Sequence, residues 1–185
     1  GKLAAAVGCD VTDYEAGDRC QTFAVVTERG KANPVRDQLR RLGLLGCRSG
    51  DKFIPGLYLR NSRAVRLDML AGILDTDGHL GNGSYDYISK SWWLAQDVAY
   101  LARSLGFAAY VQPFSKGCQG GFVGEYFRVS VSGELSLIPC RVTRKQARPR
   151  RQKKDVLVTG FAVESVGTGR YFGFECDGDH LYLLG

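Results

Sequence analysis

Apolar residues recur along this chain with two different periods, and each change of period marks an element. Leu67, Leu70 and Leu74 fall at i, i+3 and i+7, one face of an α-helix, and Ser62 stands where such a helix needs a cap. Leu94, Val98, Leu101 and Leu105 repeat the helical spacing after Ser91, with Gly106 as the stop. A shorter helix opens at Asn33-Pro34, where proline's missing N–H costs nothing, carries Val35, Leu39 and Leu42, and ends at Gly43. Residues 20–27, 85–89, 107–114 and 124–131 are rich in β-branched and aromatic residues and read as strands. Residues 79–84 read as a flexible corner, residues 135–138 as a short helix, and Trp92 and Trp93, at a helix start, as core.

Beyond Asp155 the pattern becomes plain alternation. Residues 156–166, 171–176 and 181–184 read as three more strands, separated by turns at 167–170 and 177–180. Helices interspersed with neighbouring strands predict an α+β fold with an antiparallel sheet. The character of the chain divides it at 1–61, 62–154 and 155–185.

Composition narrows the class. With 185 residues and 44% hydrophobic content the chain can bury a core, so disorder is excluded. The net charge of +6 is moderate, but its basic residues cluster. Arg141, Arg144, Lys145, Arg148, Arg150, Arg151, Lys153 and Lys154 come without an acid until Asp155, which points to phosphates and to nucleic acid as partner. The six cysteines show no C-x-x-C spacing, so reduced thiols in an intracellular protein of unspecified compartment are expected rather than a zinc site. No apolar run approaches the roughly 20 residues of a membrane span, so no membrane partner is expected.

The chemistry concentrates in residues 66–80. Gly72 and Thr76, four apart on one helix face, leave room for a second backbone to approach closely. Asp77-Gly78 then puts a carboxylate at the helix's negative end and offers a residue tolerant of φ > 0. Because a carboxylate there does not help the helix, a divalent cation is its expected partner. A calcium loop starting at Asp75 fails, since its sixth position would be Leu80 instead of glycine and its twelfth Asp86 instead of glutamate.

Leu70-Ala71-Gly72-Ile73-Leu74-Asp75-Thr76-Asp77-Gly78 resembles the LAGLIDADG motif of homing endonucleases, with conservative changes at Ile73, Leu74 and Thr76. The resemblance implies an αββαββα-type repeat whose antiparallel sheet forms a DNA saddle. It implies that Ala71, Gly72, Asp75 and Thr76 lie at an interface with a second LAGLIDADG helix, Asp75 in a structural role. Asp77, with Gly78, would hold Mg²⁺ at the scissile phosphate of double-stranded DNA. Lys145 looks placed like the family's catalytic lysine, or else contacts phosphate. Tyr85, Tyr87, Lys116, Gln119, Arg128 and Ser130 are the candidates to reach base edges or phosphates. Strand alternation means that only part of this set can share a face.

The resemblance extends outward from the motif. Residues 1–61 look like the end of a first repeat and its linker, whose own LAGLIDADG helix is expected in a missing first repeat or a second copy of the chain. Residues 155–185 resemble the C-terminal strands of an intein splicing (Hint-like) domain, without a complete set of splicing residues. An intein-encoded endonuclease is the leading expectation. A splicing-element fragment with a decayed endonuclease, at most binding DNA, is the alternative.

Overall fold

Three helices begin where a side chain accepts a hydrogen bond from an otherwise unpaired N–H of the first turn. Asn33 caps α2 (Pro34–Arg41) by accepting from Arg36 N at 3.1 Å, Ser62 caps α4 (Arg63–Asp77) through Val65 N at 3.4 Å, and Ser91 caps α5 (Trp92–Arg103) through Leu94 N at 3.1 Å. Gly43 and Gly106 follow their helices at φ +70° and +91°, the left-handed stop that glycine tolerates. The computed structural model describes residues 2–14, 21–117, 123–152, 155–156, 158, 160–170, 172–173 and 178, with backbone alone at 2, 3 and 116.

The other elements are α1 (Lys2–Ala6), β1 (Asp10–Tyr14), β2 (Thr22–Val26), α3 (Gly56–Leu59), β3 (Gly78–Gly81), β4 (Ser84–Ser89), β5 (Ala108–Gly117) and β6 (Val123–Ser132). Short 3₁₀ turns follow at Leu135–Leu137 and Thr143–Lys145. From α4 onward the order is helix, two strands, helix, two strands, and the four strands form one antiparallel sheet in the order β3-β4-β6-β5. The predicted α+β class with an antiparallel sheet is therefore observed. β1 and β2 pair in a separate antiparallel hairpin with Phe23 and Val25 exposed.

One face of the four-stranded sheet carries the core. Val129, Val131, Ala109, Tyr85 and Tyr87 on the strands bury against Ala95, Val98, Ala99 and Ala102 of α5 and Leu70 and Leu74 of α4. Small residues along α5 let that helix lie close to the sheet. Arg66 and Arg63 at the start of α4 donate to Ser104 O (3.0 Å) and Leu105 O (3.3 Å), satisfying carbonyls at the end of α5 and fixing the two helices together.

Four expectations change. Residues 78–84 are not a loose corner but strand β3 and a two-residue turn, Asn82-Gly83, with φ of +51° and +75°, the hairpin turn whose twist matches the strands. Gly78 has φ −77° and ψ 155°, so glycine is there for space instead of for a left-handed turn: a Cβ would lie 2.7 Å from Leu74 O and 2.8 Å from Leu74 Cα. Trp92 packs edge-on against Phe127 at 4.9 Å, yet Trp92 is 44% and Trp93 68% exposed, so neither belongs to the core. The strand predicted over 156–166 is not formed among its described residues. Residues 160–170 have no strand structure, and Phe161, Val163 and Val166 are almost fully exposed, since alternation makes a strand only where a neighbouring strand covers it. Of the two later predicted strands, only Phe172 and Gly173 fall among the described residues.

Candidate nucleic-acid interface and metal site

α4 ends at the edge of the sheet, and the last turn is held there by two side chains acting in opposite directions. The Asp75 carboxylate accepts from the backbone N–H groups of Arg141 (2.8 Å) and Val142 (3.1 Å). From the segment so anchored, the Lys145 ammonium returns to donate to the carbonyls of Leu74 (2.9 Å), Asp75 (2.8 Å) and Thr76 (3.1 Å). Lys145 is buried, and an ammonium has only three donors, so all of them are committed to the backbone. A cation there also offsets the negative end of the helix dipole, where a carboxylate must sit. The Tyr85 hydroxyl closes the arrangement by donating to Lys145 O and lying 3.5 Å from Cys140 Sγ. Burial, and secondarily the Cys140 contact, pushes the Tyr85 phenol far above its usual range, and burial likewise raises the Cys140 thiol. Both stay protonated near neutral pH.

Asp77 is the last residue of α4 and is exposed, one step beyond this clamp. Its negative charge reaches Tyr87, whose phenol is raised chiefly by burial and then by that charge. Gly78 is buried, donates its N–H to Leu74 O, and pairs in register with Tyr87. Magnesium is commonly held by one or two carboxylates while keeping several waters and adding substrate phosphate. A single exposed carboxylate at a helix end could serve as one ligand of such an ion. Among the described residues, no three His, Cys, Asp or Glu side chains gather into a complete metal cage.

The residues expected at a helix interface separate into two pairs. Ala71 is buried in the chain's own core, and Asp75 is spent on Arg141 and Val142. Gly72 and Thr76 are exposed, and a Cβ at Gly72 would meet nothing within 4 Å. Thr76 turns its hydroxyl back to donate to Gly72 O and Ile73 O, leaving its methyl outward.

Among the described residues no helix covers the opposite face of the sheet. Along β4 and β6, burial alternates so that Ser84, Asp86, Ile88, Arg128 and Ser130 are less enclosed than Tyr85, Tyr87, Val129 and Val131. Tyr85 and Tyr87 therefore belong to the core, which corrects their assignment to DNA contact. Arg128 and Ser130 lie on the open face, Arg128 with its guanidinium 3.9 Å over the Phe114 ring. Cross-strand register adds Tyr110, opposite Ser130, and Gln112, opposite Arg128, to the same face. The sequence contained the signal for both, because Ala109 and Val111 mark the buried alternation between them. Lys116 stands opposite Gly124 near the hairpin end, while Gln119 lies outside the described residues.

The basic run lies beside the β3 edge. Its Thr143–Lys145 turn packs along β3, and a side chain at Gly83 would collide with the Arg150 guanidinium, so that arginine rests on the β3–β4 turn. Arg141, Arg144, Arg148, Arg150 and Arg151 are exposed. Lys153 and Lys154 lie outside the described residues. Among the described residues Cys9, Cys47 and Cys140 are free thiols, and no helix is long and apolar enough to cross a membrane.

No family model matches the chain. It is similar to the replicative DNA helicase DnaB of Rhodothermus marinus, 31% identical over 147 residues that cover 76% of this chain and 15% of that protein. It is also similar to the replicative DNA helicase DnaB of Mycobacterium intracellulare, 44% identical over 74 residues, 40% of this chain and 12% of that protein. The chain thus matches only a small part of each relative's length.

Proposed function

We propose that this chain is the second half of an intein-encoded LAGLIDADG DNA endonuclease, carried within a replicative helicase. The observation that carries the reading is the end of α4. A helix with the motif spacing delivers an exposed Asp77 at the rim of a four-stranded antiparallel sheet, and among the described residues no helix covers one face of that sheet. The order helix, strand, strand, helix, strand, strand supports it, as does the open Gly72–Thr76 stripe where a second such helix would lie. Similarity confined to 15% and 12% of two helicases is what an element inserted into such a host would give.

In this reading the open sheet face lies in the major groove, and the arginines beside β3 take the flanking phosphates. Asp77 would hold a divalent cation, which would supply charge stabilisation and a more acidic water for phosphodiester hydrolysis. Asp75 and Lys145 act on the chemistry only through the position of Asp77. The double-strand break needs a second carboxylate from the other half. The test is to incubate the full protein with Mg²⁺ and DNA of a helicase gene that lacks the insertion. Site-specific cleavage supports the reading, and intact DNA under conditions of saturated binding contradicts it.

A second reading has one observation in its favour. The lysine that the resemblance placed at the chemistry has its three donors committed to the helix backbone, as expected of a splicing-element fragment whose endonuclease only binds DNA. The same assay separates the two, since binding without cleavage selects the second.

A further inference from the structure

The open face of the sheet is the surface the proposed function brings against DNA, yet it presents an acid near its centre. Asp86 on β4 stands opposite Ser130 on β6 and opposite His79 on β3, and Ser130 in turn stands opposite Tyr110 on β5. The Ser130 hydroxyl donates to Asp86 Oδ1 at 2.7 Å, which fixes the carboxylate, and among the described residues its other oxygen has no hydrogen-bond partner. Asp86 and Ser130 are both half-buried, and Tyr110 beside them is 63% exposed. Among the described residues no Lys or Arg forms an ion pair with Asp86, since the described ion pairs are Lys31–Glu28 and Arg40–Asp37.

A fixed carboxylate is repelled by every phosphate and by every acceptor on a base edge. It is tolerated on a DNA-facing surface only where it meets a donor. The major groove presents two kinds of amino donor, N6 of adenine and N4 of cytosine. Adenine sets the N7 acceptor beside N6, which suits an amide with one donor and one acceptor and opposes a carboxylate. Cytosine sets only C5–H beside N4, so one free carboxylate oxygen satisfies it. Ser130 has already taken the other oxygen, and the stoichiometry matches.

We propose that Asp86, oriented by Ser130, is a base-reading residue that accepts from cytosine N4 and so fixes one C·G pair of the DNA target. The inference rests on the chain being a DNA-binding half-endonuclease. It adds what that reading leaves open, namely which side chain specifies a base and which base it specifies.

The experiment is binding-site selection from a randomised duplex library by the full protein, comparing wild type with Asp86→Asn and Ser130→Ala. The isosteric Asp86→Asn replaces an acceptor by an amide able to pair with adenine N6 and N7. It is expected to lose about tenfold in cytosine preference at a single position and to shift that position toward adenine, all others unchanged. Ser130→Ala leaves the carboxylate but frees it to rotate, and weakens the cytosine preference at that same position only. If both variants select the wild-type sequence unchanged, or lose preference evenly across the site, the assignment of Asp86 is overturned while DNA recognition stands. If wild type itself selects no sequence, the assignment falls together with the reading beneath it.

Discussion

Asp75 and Lys145 each hold the chain segment of the other: the Asp75 carboxylate accepts from Arg141 and Val142 N–H, and the Lys145 ammonium donates to Asp75 O at 2.8 Å. Seventy residues of sequence separate the partners, so the pair joins the end of α4 to the segment behind it.

Removing one side of this clamp takes a hydrogen-bond partner from backbone groups that are buried or partly buried on the Lys145 side and more exposed on the Asp75 side. Lys145→Met strips donors from three carbonyls and is expected to cost about 2 kcal/mol in denaturant unfolding. Asp75→Ala removes the acceptor of two N–H groups, one exposed and one partly buried, at about 1 kcal/mol. Because the two act on one junction, the double variant should fall short of the sum by at least about 0.5 kcal/mol. Strict additivity would show that the two anchors are independent.

Gly78→Ala tests whether space, not backbone conformation, selects glycine after Asp77. Its φ of −77° is allowed to alanine, but the new Cβ would press on Leu74 O and Cα at 2.7 and 2.8 Å. Both are backbone atoms of a packed helix, so the structure must shift, at about 1–3 kcal/mol. A melting temperature unchanged by the substitution would contradict this account of Gly78.

The parts of the fold that were legible in the sequence are those set by neighbours in the chain. Asn33, Ser62 and Ser91 announce helix starts because a cap bonds two or three residues ahead, and the α4 and α5 stripes appear as spacing. β3 was missed because four residues carry too little alternation, although Asn82-Gly83 is itself a hairpin signal. The face of Tyr85 and Tyr87 was not legible, since alternation gives two faces and only their register with Val131 and Val129 says which is buried. Lys145 was found as a residue of interest, but its backbone partners are remote in sequence and no local pattern could name them.

The arginines from 141 to 151 should act through phosphate, not through sequence. Replacing Arg141, Arg144, Arg148, Arg150 and Arg151 by glutamine is expected to weaken binding to all duplexes alike and to flatten its salt dependence. Each lost contact lowers the log–log slope by about 0.9. An unchanged slope would identify the run as a solvated edge.

Gly72→Leu should break association of this half with its partner helix. The position is open in this chain, with nothing within 4 Å of a Cβ, so the substitution leaves the isolated fold intact and acts only on a neighbour. Sedimentation of the full assembly should show dissociation or a weakened complex with unchanged unfolding of this half. Equal stability of the assembly in wild type and variant would remove this face from the interface.

The central claim rests on the carboxylate of Asp77, and the most direct measurement is single-turnover cleavage of bound target DNA by wild type and Asp77→Asn across a Mg²⁺ titration. The amide keeps the shape and removes the charge, while phosphate contacts elsewhere supply most of the affinity. The account predicts binding within about threefold of wild type and cleavage of the strand served by this half reduced by about 10³-fold or more at every Mg²⁺ concentration. Cleavage of that strand by Asp77→Asn at the wild-type rate would contradict it.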